Sequence, residues 1–369
     1  MKKLTAVAAL AAAAIAALVT TQLAGADAHQ GRPGSDVQHI FVIVLENHSR
    51  QNVIGDPNAP YITSLAQKYA SAANYYGVTH PSLPNYVAMI SGSNWWINDD
   101  NPADRFDHTN LVDQLEARHK TWAGYMEAMP ADDKTADYWP STTDKLYASK
   151  HNPFVLFNDI RNDPARMANV KTYDALAGDL ASVATTPDFA FIAPDQCNDM
   201  HGGIYHTVPG HPEAPCPYNT VNDDPEDIAL KQKADAFVKG AVQTIMGSPS
   251  WRQGQDAIFI VSDEGDYTGT PESQQNGGWD SPAGCCDSPV VAAGDTDIDP
   301  TWPGGVYGGG LVPAVVIVNH DGKTGGYVSQ TAYNHYSLLA TIEQVWDLPK
   351  LAYASDSSQV TPMTEFFTP

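Results

Sequence analysis

The chain has 369 residues, 43% of them hydrophobic, so it contains ample material for a large buried core. Its formal net charge at pH 7 is -23, because 43 acidic residues outnumber 20 basic ones. This acidic balance argues against nucleic-acid binding and against electrostatic docking on anionic lipid. No break in composition divides the chain, and short apolar runs alternate with helix-like segments, so we expect one layered α/β domain.

The amino-terminal segment is typical of an export signal. Two lysines precede an alanine-rich apolar run from Leu4 to Val19, and small residues suited to cleavage follow as far as Ala28. We expect residues 1–28 to be a signal peptide and residues 29–369 to be a single secreted domain with no stable membrane span. An uncleaved membrane anchor is the alternative.

The first predicted strand is Phe41–Leu45, a short apolar run bounded by polar residues. Such a run is typical of a strand buried on both faces of a parallel sheet. Glu46 and Asn47 follow the strand directly. In open α/β sheets the chemistry lies at this carboxyl end of the strands, so both side chains are candidates for a site.

A candidate nucleophile lies in Thr79–Gly92, THPSLPNYVAMISG, after a predicted helix over Tyr61–Ala73. Pro81 and Pro84 stiffen the backbone around Ser82, so the Ser82 hydroxyl would be held in a defined direction. A serine becomes a useful nucleophile only when a base, a lowered pKa or a metal activates it. The alternative is a proline-rich turn whose polar side chains bond the local backbone.

The four cysteines fit an oxidising compartment and permit three pairings. Pairing of Cys197 with Cys216 would leave Cys285 and Cys286 as a vicinal pair. Crossed pairing would instead tie a Gly-, Ser- and Asp-rich segment, 267–310, to the loop of Cys197. A zinc site formed by these cysteines is disfavoured, because their spacing lacks paired Cys-x-x-Cys motifs.

A second strand of the same kind, Ala257–Val261, also ends in acidic residues: Asp263, Glu264 and Asp266. Two such strand ends could place three or four oxygen ligands around one hard divalent cation. Oxygen ligands favour Ca²⁺, Mg²⁺ or Mn²⁺, with Zn²⁺ as the alternative. Helix capping would explain either set of residues alone. Because the two strands look alike, we predict a metal site.

The remaining elements complete the α/β pattern. The 267–310 segment is rich in turn-forming residues, which is typical of a loop insertion. Helical spacing of apolar residues predicts a helix over Tyr336–Trp346 with His335 near its start. A histidine at that position tends to stay neutral, because the helix dipole disfavours added positive charge. The other predicted elements are helices over Asn110–Arg118 and Glu226–Met246 and strands over Asp188–Ile192 and Val312–Val318.

Six segments carry motifs whose order and spacing are far more specific than any single short motif. They are Glu46–Gln67, Thr79–Gly92, Tyr147–Phe157, Asn198–Gly203, Val261–Asp266 and Asn334–Pro349. Together they resemble secreted bacterial phosphoesterases, which include acid phosphatases and phospholipases C and are distantly similar to the alkaline phosphatase superfamily. The first two segments, Glu46–Gln67 and Thr79–Gly92, look especially like those of mycobacterial secreted acid phosphatases, some of which act on phosphoinositides. The resemblance implies an alkaline-phosphatase-like layered sandwich, with a largely parallel central sheet flanked by helices.

The resemblance also implies roles for the residues that match. Ser82 resembles the nucleophile, since its Ser-x-Pro-Asn context matches that of the family, and Thr79 is the second candidate. Many relatives have an aspartate where this chain has Gly202, so the task of that carboxylate is left open. The residues that resemble metal ligands are Glu46, Asn47, Asp263 and Glu264. The residues that resemble those around the phosphate and its leaving group are His151, Asp199, His201 and His335.

The implied chemistry is phosphoryl transfer through a covalent phosphoserine. Ser82 would attack phosphorus in line, and the amides of Asn47 or Asn85 would stabilise the phosphate oxygens. His201 or His335 would protonate the leaving oxygen, and water would then hydrolyse the phosphoserine.

Three functions fit these residues. The first is a secreted, metal-dependent acid phosphatase acting on small phosphomonoesters, with phosphoinositide headgroups among the candidates. The second is a phospholipase C or another phosphodiesterase, for which loops such as 267–310 would have to leave room for a second ester substituent. The third is a non-catalytic extracellular binding protein. This function would be favoured if Ser82 or the metal ligands were missing, and they are present.

Overall fold

The computed structural model describes residues 33–97, 99–265, 283–288 and 306–369. The predicted signal peptide, Asp266 and most of the predicted 267–310 insertion lie outside the described residues.

The described residues contain twelve strands, and α-helices separate several of them. They are β1 (Val37–Leu45), β2 (Ala70–Tyr76), β3 (Thr79–His80), β4 (Trp122–Met126), β5 (Tyr138–Trp139), β6 (Tyr147–Ala148), β7 (Val170–Thr172), β8 (Phe189–Ala193), β9 (Gln255–Ser262), β10 (Val306–Tyr307), β11 (Ala314–Val318) and β12 (Tyr327–Asn334).

The α-helices include two long ones, and several are single turns. They are α1 (Pro60–Lys68), α2 (Ser82–Ser91), α3 (Leu111–Ala117), α4 (Asn158–Arg161), α5 (Pro164–Met167), α6 (Leu176–Asp179), α7 (Pro225–Gly247), α8 (Pro249–Gln253) and α9 (His335–Val345). Short 3₁₀ turns span Arg50–Asn52, Ser149–His151, Pro153–Leu156, Tyr173–Ala175, Ala352–Ser355 and Thr364–Phe367.

Within the described residues an eight-stranded sheet forms the centre, in the order β12-β2-β11-β9-β1-β8-β4-β7. Strand β11 runs antiparallel to β9 and β2, and the other neighbouring strands pair in parallel. This arrangement confirms the predicted α/β class with a largely parallel central sheet.

Strand β1 shows why its sequence is a continuous apolar run. Successive side chains of a strand point to opposite faces of the sheet. Ile40, Val42 and Val44 pack into the core on one face, whereas Phe41 and Ile43 pack into the core on the other. Both faces are covered from Ile40 to Leu45, so this part of the strand is apolar throughout, whereas Gln38 near the start of the strand is exposed.

The register between β1 and β9 determines where the site forms. Leu45 lies opposite Ser262 in the parallel ladder, and the backbone N–H of Asp263 donates to the carbonyl of Leu45 over 3.0 Å. The next residues, Glu46 and Asp263, therefore leave the sheet side by side at its carboxyl edge.

The predicted elements agree with the structure except at one helix end. The four predicted strands correspond to parts of β1, β8, β9 and β11, and helices α3, α7 and α9 match their predicted ranges to within one residue at each end. The prediction over Tyr61–Ala73 is wrong at its carboxyl end, because α1 stops at Lys68 and Ala70–Tyr76 forms β2. The small side chains of Ala70 and Ala72 suit a helix locally. Strand β2 lies between β11 and β12, however, and its pairing with both strands outweighs this preference.

Two further features bear on the sequence predictions. The disulfides join Cys197 to Cys216 and Cys285 to Cys286, which is one of the three pairings left open. Among the described residues, no helix has the length and apolar character needed to cross a membrane.

One ionisable group, Glu343, is buried in helix α9. Its Oε1 accepts hydrogen bonds from the backbone N–H of Leu351 (2.8 Å) and from Gln114 Nε2 (3.3 Å), while Oε2 is buried with no hydrogen-bond partner. Burial raises the pKa of Glu343 to about 8. The native state thus favours the protonated carboxyl.

We expect Glu343→Gln to stabilise the protein more at pH 8 than at pH 5. Between the ordinary glutamate pKa and about 8, the unfolded chain loses this proton while the native state keeps it. Wild-type stability therefore falls as pH rises, by at most about 1.4 kcal/mol per pH unit for one group. Urea unfolding at several pH values measures this, with exposed Glu226→Gln as control. An equal effect of Glu343→Gln at both pH values would contradict the expectation.

Candidate active site

Three acidic side chains converge where β1 and β9 end. Glu46, Asp263 and Glu264 are all buried, and one carboxylate oxygen from each lies within 4.8 Å of the others. Glu46 follows β1, while Asp263 and Glu264 follow β9, so the strand register brings them together. These are three of the four residues that the sequence predicted as metal ligands.

The cluster contains carboxylate oxygens that protein groups leave unsatisfied. Oε2 of Glu46 and Oδ2 of Asp263 are buried without a hydrogen-bond partner, while Oε1 of Glu46 lies 2.7 Å from Nε2 of His151. Burial, followed by the charges of Glu46 and Glu264, raises the pKa of Asp263 well above its usual value. For Glu46 burial opposes ionisation, yet the charges of His151 and Lys150 hold its pKa well below the usual value.

This donor set fits a divalent cation. Burial of unpaired carboxylate oxygens is costly, and like charges this close repel each other. A cation bound by Glu46, Asp263 and Glu264 would offset both costs. The oxygen-only set suits a hard ion.

Asn47, the fourth predicted ligand, lies beside this cluster. Its backbone N–H donates to Asp263 Oδ1 over 3.2 Å, and its side-chain Oδ1 is buried with no hydrogen-bond partner. Its Nδ2 donates to the hydroxyl of Tyr218. Asn47 has φ of 49°, a left-handed conformation that asparagine tolerates better than most residues and that turns the chain away from the strand.

A buried network holds the loop after β1 in place. Nε2 of His48 lies 2.8 Å from Asp227 Oδ1, and the ammonium of Lys231 contacts Asp227 and Asp56 at 2.8 and 2.7 Å. Lys231 and Asp227 lie on α7, and both are almost completely buried. The loop carrying Glu46 and Asn47 is thus anchored to α7 rather than serving as a helix cap.

Ser82 is the first residue of helix α2. Its hydroxyl donates to Glu264 Oε1 over 3.1 Å and accepts from Lys150 Nζ over 3.2 Å. A helix amino terminus favours negative charge, because its first N–H groups have no partners within the helix. The predicted nucleophile therefore lies beside the carboxylate cluster, and Lys150 and the helix amino terminus are the neighbouring groups that would favour its deprotonated form.

Lys150 links Ser82 to a further carboxylate. Its ammonium lies 2.9 Å from Asp100 Oδ2. Although burial opposes the charge, Asp100 and Glu46 hold the pKa of Lys150 above its usual value. Lys150 is thus a permanent cation beside the Ser82 hydroxyl.

His151 contacts both Glu46 and Asp199. Nε2 of His151 lies 2.7 Å from Glu46 Oε1, and Nδ1 lies 3.4 Å from Asp199 Oδ2. Burial lowers the pKa of His151, but Glu46 and Asp199 outweigh it and raise the value to about 9. The ring also stacks on Tyr86, with centroids 5.0 Å apart. These two residues, predicted to serve the leaving group, are placed to orient Glu46, a candidate metal ligand.

A cleft of ≈480 Å³ reaches this site from outside. Lys150, His201 and Tyr218 line it together with Lys145. The Nδ1 atom of His201 hydrogen-bonds to the carbonyl of Gly202, which leaves Nε2 for other partners. Burial, with the nearby charge of Lys150, lowers the pKa of His201. Of the histidines predicted to serve the leaving group, His201 lines this cleft.

His335 has a different position from the one its predicted role requires. It is completely buried, its Nε2 lies 2.5 Å from the carbonyl oxygen of Asp263, and its Nδ1 lies 3.0 Å from the Tyr75 hydroxyl. Burial lowers its pKa to about 4, so the ring is neutral, donates from Nε2 and accepts at Nδ1. Both nitrogens are engaged, and His335 braces the backbone of a metal-ligand candidate.

Asn85 and Thr79 also face inward. The Asn85 side chain accepts from the backbone N–H groups of Val78 and Thr79 and donates to the carbonyls of Thr79 and Pro81. It shapes the turn before α2, which differs from its predicted contact with phosphate. The Thr79 hydroxyl donates to the carbonyl of His80, whereas the Ser82 hydroxyl contacts the charged groups.

Gly202 stands where many relatives were expected to carry aspartate. Its φ is 73°, and a Cβ there would lie 2.7 Å from the carbonyl oxygen of Pro217. The backbone of this chain leaves no space for a side chain at that position.

The sequence predictions missed three ionisable residues of the site. Lys150 and Asp100 flank Ser82, and Nδ1 of His80 lies 2.5 Å from Glu264 Oε2. A signal existed for two of them: Lys150 directly precedes His151 in its motif, and His80 lies two residues before Ser82. Asp100 lies in no motif.

Comparisons with known proteins agree with this geometry. Residues 56–211 and 216–349 match the Phosphoesterase family. A probable acid phosphatase from Kluyveromyces lactis is 33% identical over 178 residues, which are 46% of this chain and 40% of that protein. The chain thus spans well under two thirds of that relative's length.

Two other matches cover most of the chain. The phosphatidylinositol-3-phosphatase of Mycobacterium tuberculosis is 24% identical over 328 residues, which are 88% of this chain and 81% of that protein. A solved structure from Vibrio parahaemolyticus, of a protein in the alkaline phosphatase superfamily, has a TM-score of 0.50 at 10% identity, covering 86% of this chain and 69% of the other. The structural match confirms the predicted fold.

We expect Asp263→Asn to weaken binding of one divalent cation by at least roughly tenfold, since loss of groups that merely support a ligand already costs that much. Equilibrium dialysis of the metal-free protein against Mn²⁺, followed by elemental analysis, measures the number of ions bound. Asp100→Asn, which alters the neighbouring Lys150 pair, is the control and should retain binding. Equal binding by wild type and Asp263→Asn would exclude this site.

Proposed function

The chain belongs to the Phosphoesterase family, and on that premise we propose that it is a secreted, metal-dependent phosphatase that hydrolyses phosphomonoesters through a phosphoserine at Ser82. The observation that carries the proposal is the position of Ser82. Its hydroxyl lies at the amino terminus of α2, between Glu264 Oε1 at 3.1 Å and Lys150 Nζ at 3.2 Å, beside unpaired carboxylates.

The cleft suits an anionic substrate despite the acidity of the whole chain. Lys145 and Lys150 line it, and the amino terminus of α2 adds positive potential near Ser82. A phosphate group entering the cleft would meet Lys150 first and then the Ser82 hydroxyl. Local charge thus supports phosphate binding.

The transfer step follows from the groups around Ser82. A cation held by Glu46, Asp263 and Glu264 would supply Lewis-acid stabilisation of the nucleophile and of the phosphoryl charge. Glu264 accepts the hydrogen bond of the Ser82 hydroxyl and is positioned to take its proton, while Lys150 stabilises the resulting alkoxide. As the serine oxygen bonds to phosphorus, the bond to the leaving oxygen breaks.

Departure of the leaving group needs a proton, and His201 is the candidate donor. It lines the cleft with Lys150 and has Nε2 available, in contrast to His335. A water molecule that gives a proton to the same histidine would then attack the phosphoserine; as the bond between phosphorus and the Ser82 oxygen breaks, Glu264 would return its proton to that oxygen, which releases phosphate and restores the hydroxyl.

Secretion is part of the proposal and rests on two observations. Residues 1–28 have the composition of an export signal, and the disulfides Cys197–Cys216 and Cys285–Cys286 fit an oxidising compartment. We propose that residues 29–369 are the mature catalytic domain.

The names of the relatives support a monoester substrate, including the headgroup of a phosphoinositide. A phosphodiesterase such as a phospholipase C is the alternative, since a cleft of ≈480 Å³ has space for a second ester substituent.

We expect faster turnover of para-nitrophenyl phosphate than of para-nitrophenyl phosphocholine between pH 4 and 9. Faster turnover of the diester would assign a phosphodiesterase.

We expect Ser82→Ala to reduce turnover by roughly 10³-fold or more, because it removes the nucleophile. Acid quenching of the wild type during turnover, followed by mass spectrometry, should find phosphate on the peptide that contains Ser82. Ser91→Ala, at the other end of α2, is the matched control and should leave turnover close to wild type. Phosphate on Thr79, together with an active Ser82→Ala variant, would reject Ser82.

We expect Lys150→Met to reduce kcat by roughly 10² to 10³-fold, because a preorganised cation at the developing charge is lost. Lys145 provides the matched comparison: it lines the same cleft, but its ammonium lies over the Tyr138 ring, 4.2 Å from the centroid. Lys145→Met should therefore act mainly on KM. Equal effects of the two variants on kcat would contradict a role for Lys150 at Ser82.

A further inference from the structure

A second cluster of metal-ligating side chains lies near the ends of the neighbouring strands β8 and β4. Asp195 comes two residues after β8, and Glu127 directly follows β4. His211 and Glu213 reach the same place from the loop that the Cys197–Cys216 disulfide closes. One ligand atom each from Asp195, His211 and Glu213 lies within 4.8 Å of the other two. This cluster shares no residue with the candidate active site.

Asp195 leaves one oxygen without a partner. It is 1% exposed, and its Oδ1 accepts from the backbone N–H groups of Cys197 and Asn198 over 2.9 and 3.0 Å. Its Oδ2 is buried with no hydrogen-bond partner. The carboxyl group faces that of Glu213, and burial together with the charges of Glu127 and Glu213 raises the pKa of Asp195 well above its usual value.

Glu127 completes the shell around Asp195. Its Oε2 accepts from the backbone N–H of Asp195 over 3.0 Å, and both its oxygens accept from Asn198 Nδ2 over 3.1 Å. Burial raises the pKa of Glu127 to about 7. The turn that presents Asp195 is thereby held rigidly, which favours a preorganised ligand.

The surroundings are acidic and open to solvent. A cleft of ≈550 Å³ is lined by Glu127, His211 and Glu213 together with Asp132 and Asp174, and none of its described lining residues is lysine or arginine. Nδ1 of His211 lies 2.7 Å from Glu213 Oε1, and the ring packs edge-on against Trp139. A cation has a route to the cluster and meets negative potential along it.

We propose that Asp195, His211 and Glu213 bind a second divalent cation of the type that accepts imidazole together with carboxylate, such as Zn²⁺ or Mn²⁺. The ion would bind the buried Asp195 carboxylate together with the Glu213 carboxylate and the His211 imidazole, and would replace the repulsion between the two carboxylates by attraction. It would fasten the loop closed by the disulfide to the end of β8. The same turn carries Asp199, whose backbone N–H donates to the carbonyl of Asp195, so the ion would help to position His201 at the cleft.

The test measures Zn²⁺ binding to the full mature chain in an Asp263→Asn background, in which the first site is weakened. We expect this variant to bind Zn²⁺, and to unfold at a higher temperature with the ion than without it. Adding His211→Gln should weaken binding by at least roughly tenfold. The matched control is His206→Gln on the same loop, where an exposed histidine pairs with Asp144 alone, and it should leave the affinity unchanged.

Three results would overturn the proposal. They are an Asp263→Asn chain that binds no Zn²⁺, equal weakening by His211→Gln and His206→Gln, and unchanged affinity in Asp263→Asn/His211→Gln. If Asp263→Asn does not fold, Glu213→Gln in the otherwise natural chain gives a second measurement. It should bind one Zn²⁺ fewer than wild type, and an unchanged number would also overturn the proposal.

Discussion

The structure depends on the parallel register between β1 and β9, which places Glu46 beside Asp263 in a buried position. Two carboxylates there, with Glu264 as a third, repel each other and lose their hydration. The fold leaves Oε2 of Glu46 and Oδ2 of Asp263 unpaired within a cluster of three neighbouring carboxylates, an arrangement that a divalent cation would stabilise. The rest of the site is arranged around this concentration of negative charge.

Positive groups surround the cluster at different depths. His151 lies behind Glu46, and the amino terminus of α2 lies beside Glu264 with Ser82 as its first residue. Lys150 stands between Ser82 and the cleft. The same groups that would balance the carboxylates would also stabilise a serine alkoxide and a phosphoryl group, so structural and chemical requirements coincide. Away from this site, burial raises the pKa of Glu343, so we expect the native state to be more stable at acid pH than near pH 8.

Sequence reasoning succeeded where the information is local. The convergence of Glu46, Asp263 and Glu264 could be predicted because an apolar run and the polar residues at its end are adjacent in the chain. The position of Ser82 beside them could be predicted because its motif is contiguous. It failed where position depends on tertiary pairing: β2 looks helical until β11 and β12 pair with it. His335 shows a further limit, because its motif indicates that it belongs near the site but not that the Asp263 carbonyl and the Tyr75 hydroxyl occupy both its nitrogens.

The measurement that tests the central claim most directly is turnover of para-nitrophenyl phosphate before and after complete removal of divalent metal. The purified mature protein would be dialysed against a chelator, freed of the chelator, and then supplied with Mn²⁺, Mg²⁺, Ca²⁺ or Zn²⁺ in turn. If the cation at the ends of β1 and β9 is what makes Ser82 reactive, activity should be lost in the metal-free protein and restored by at least one of these ions. Full turnover by protein shown by elemental analysis to be metal-free would contradict the account.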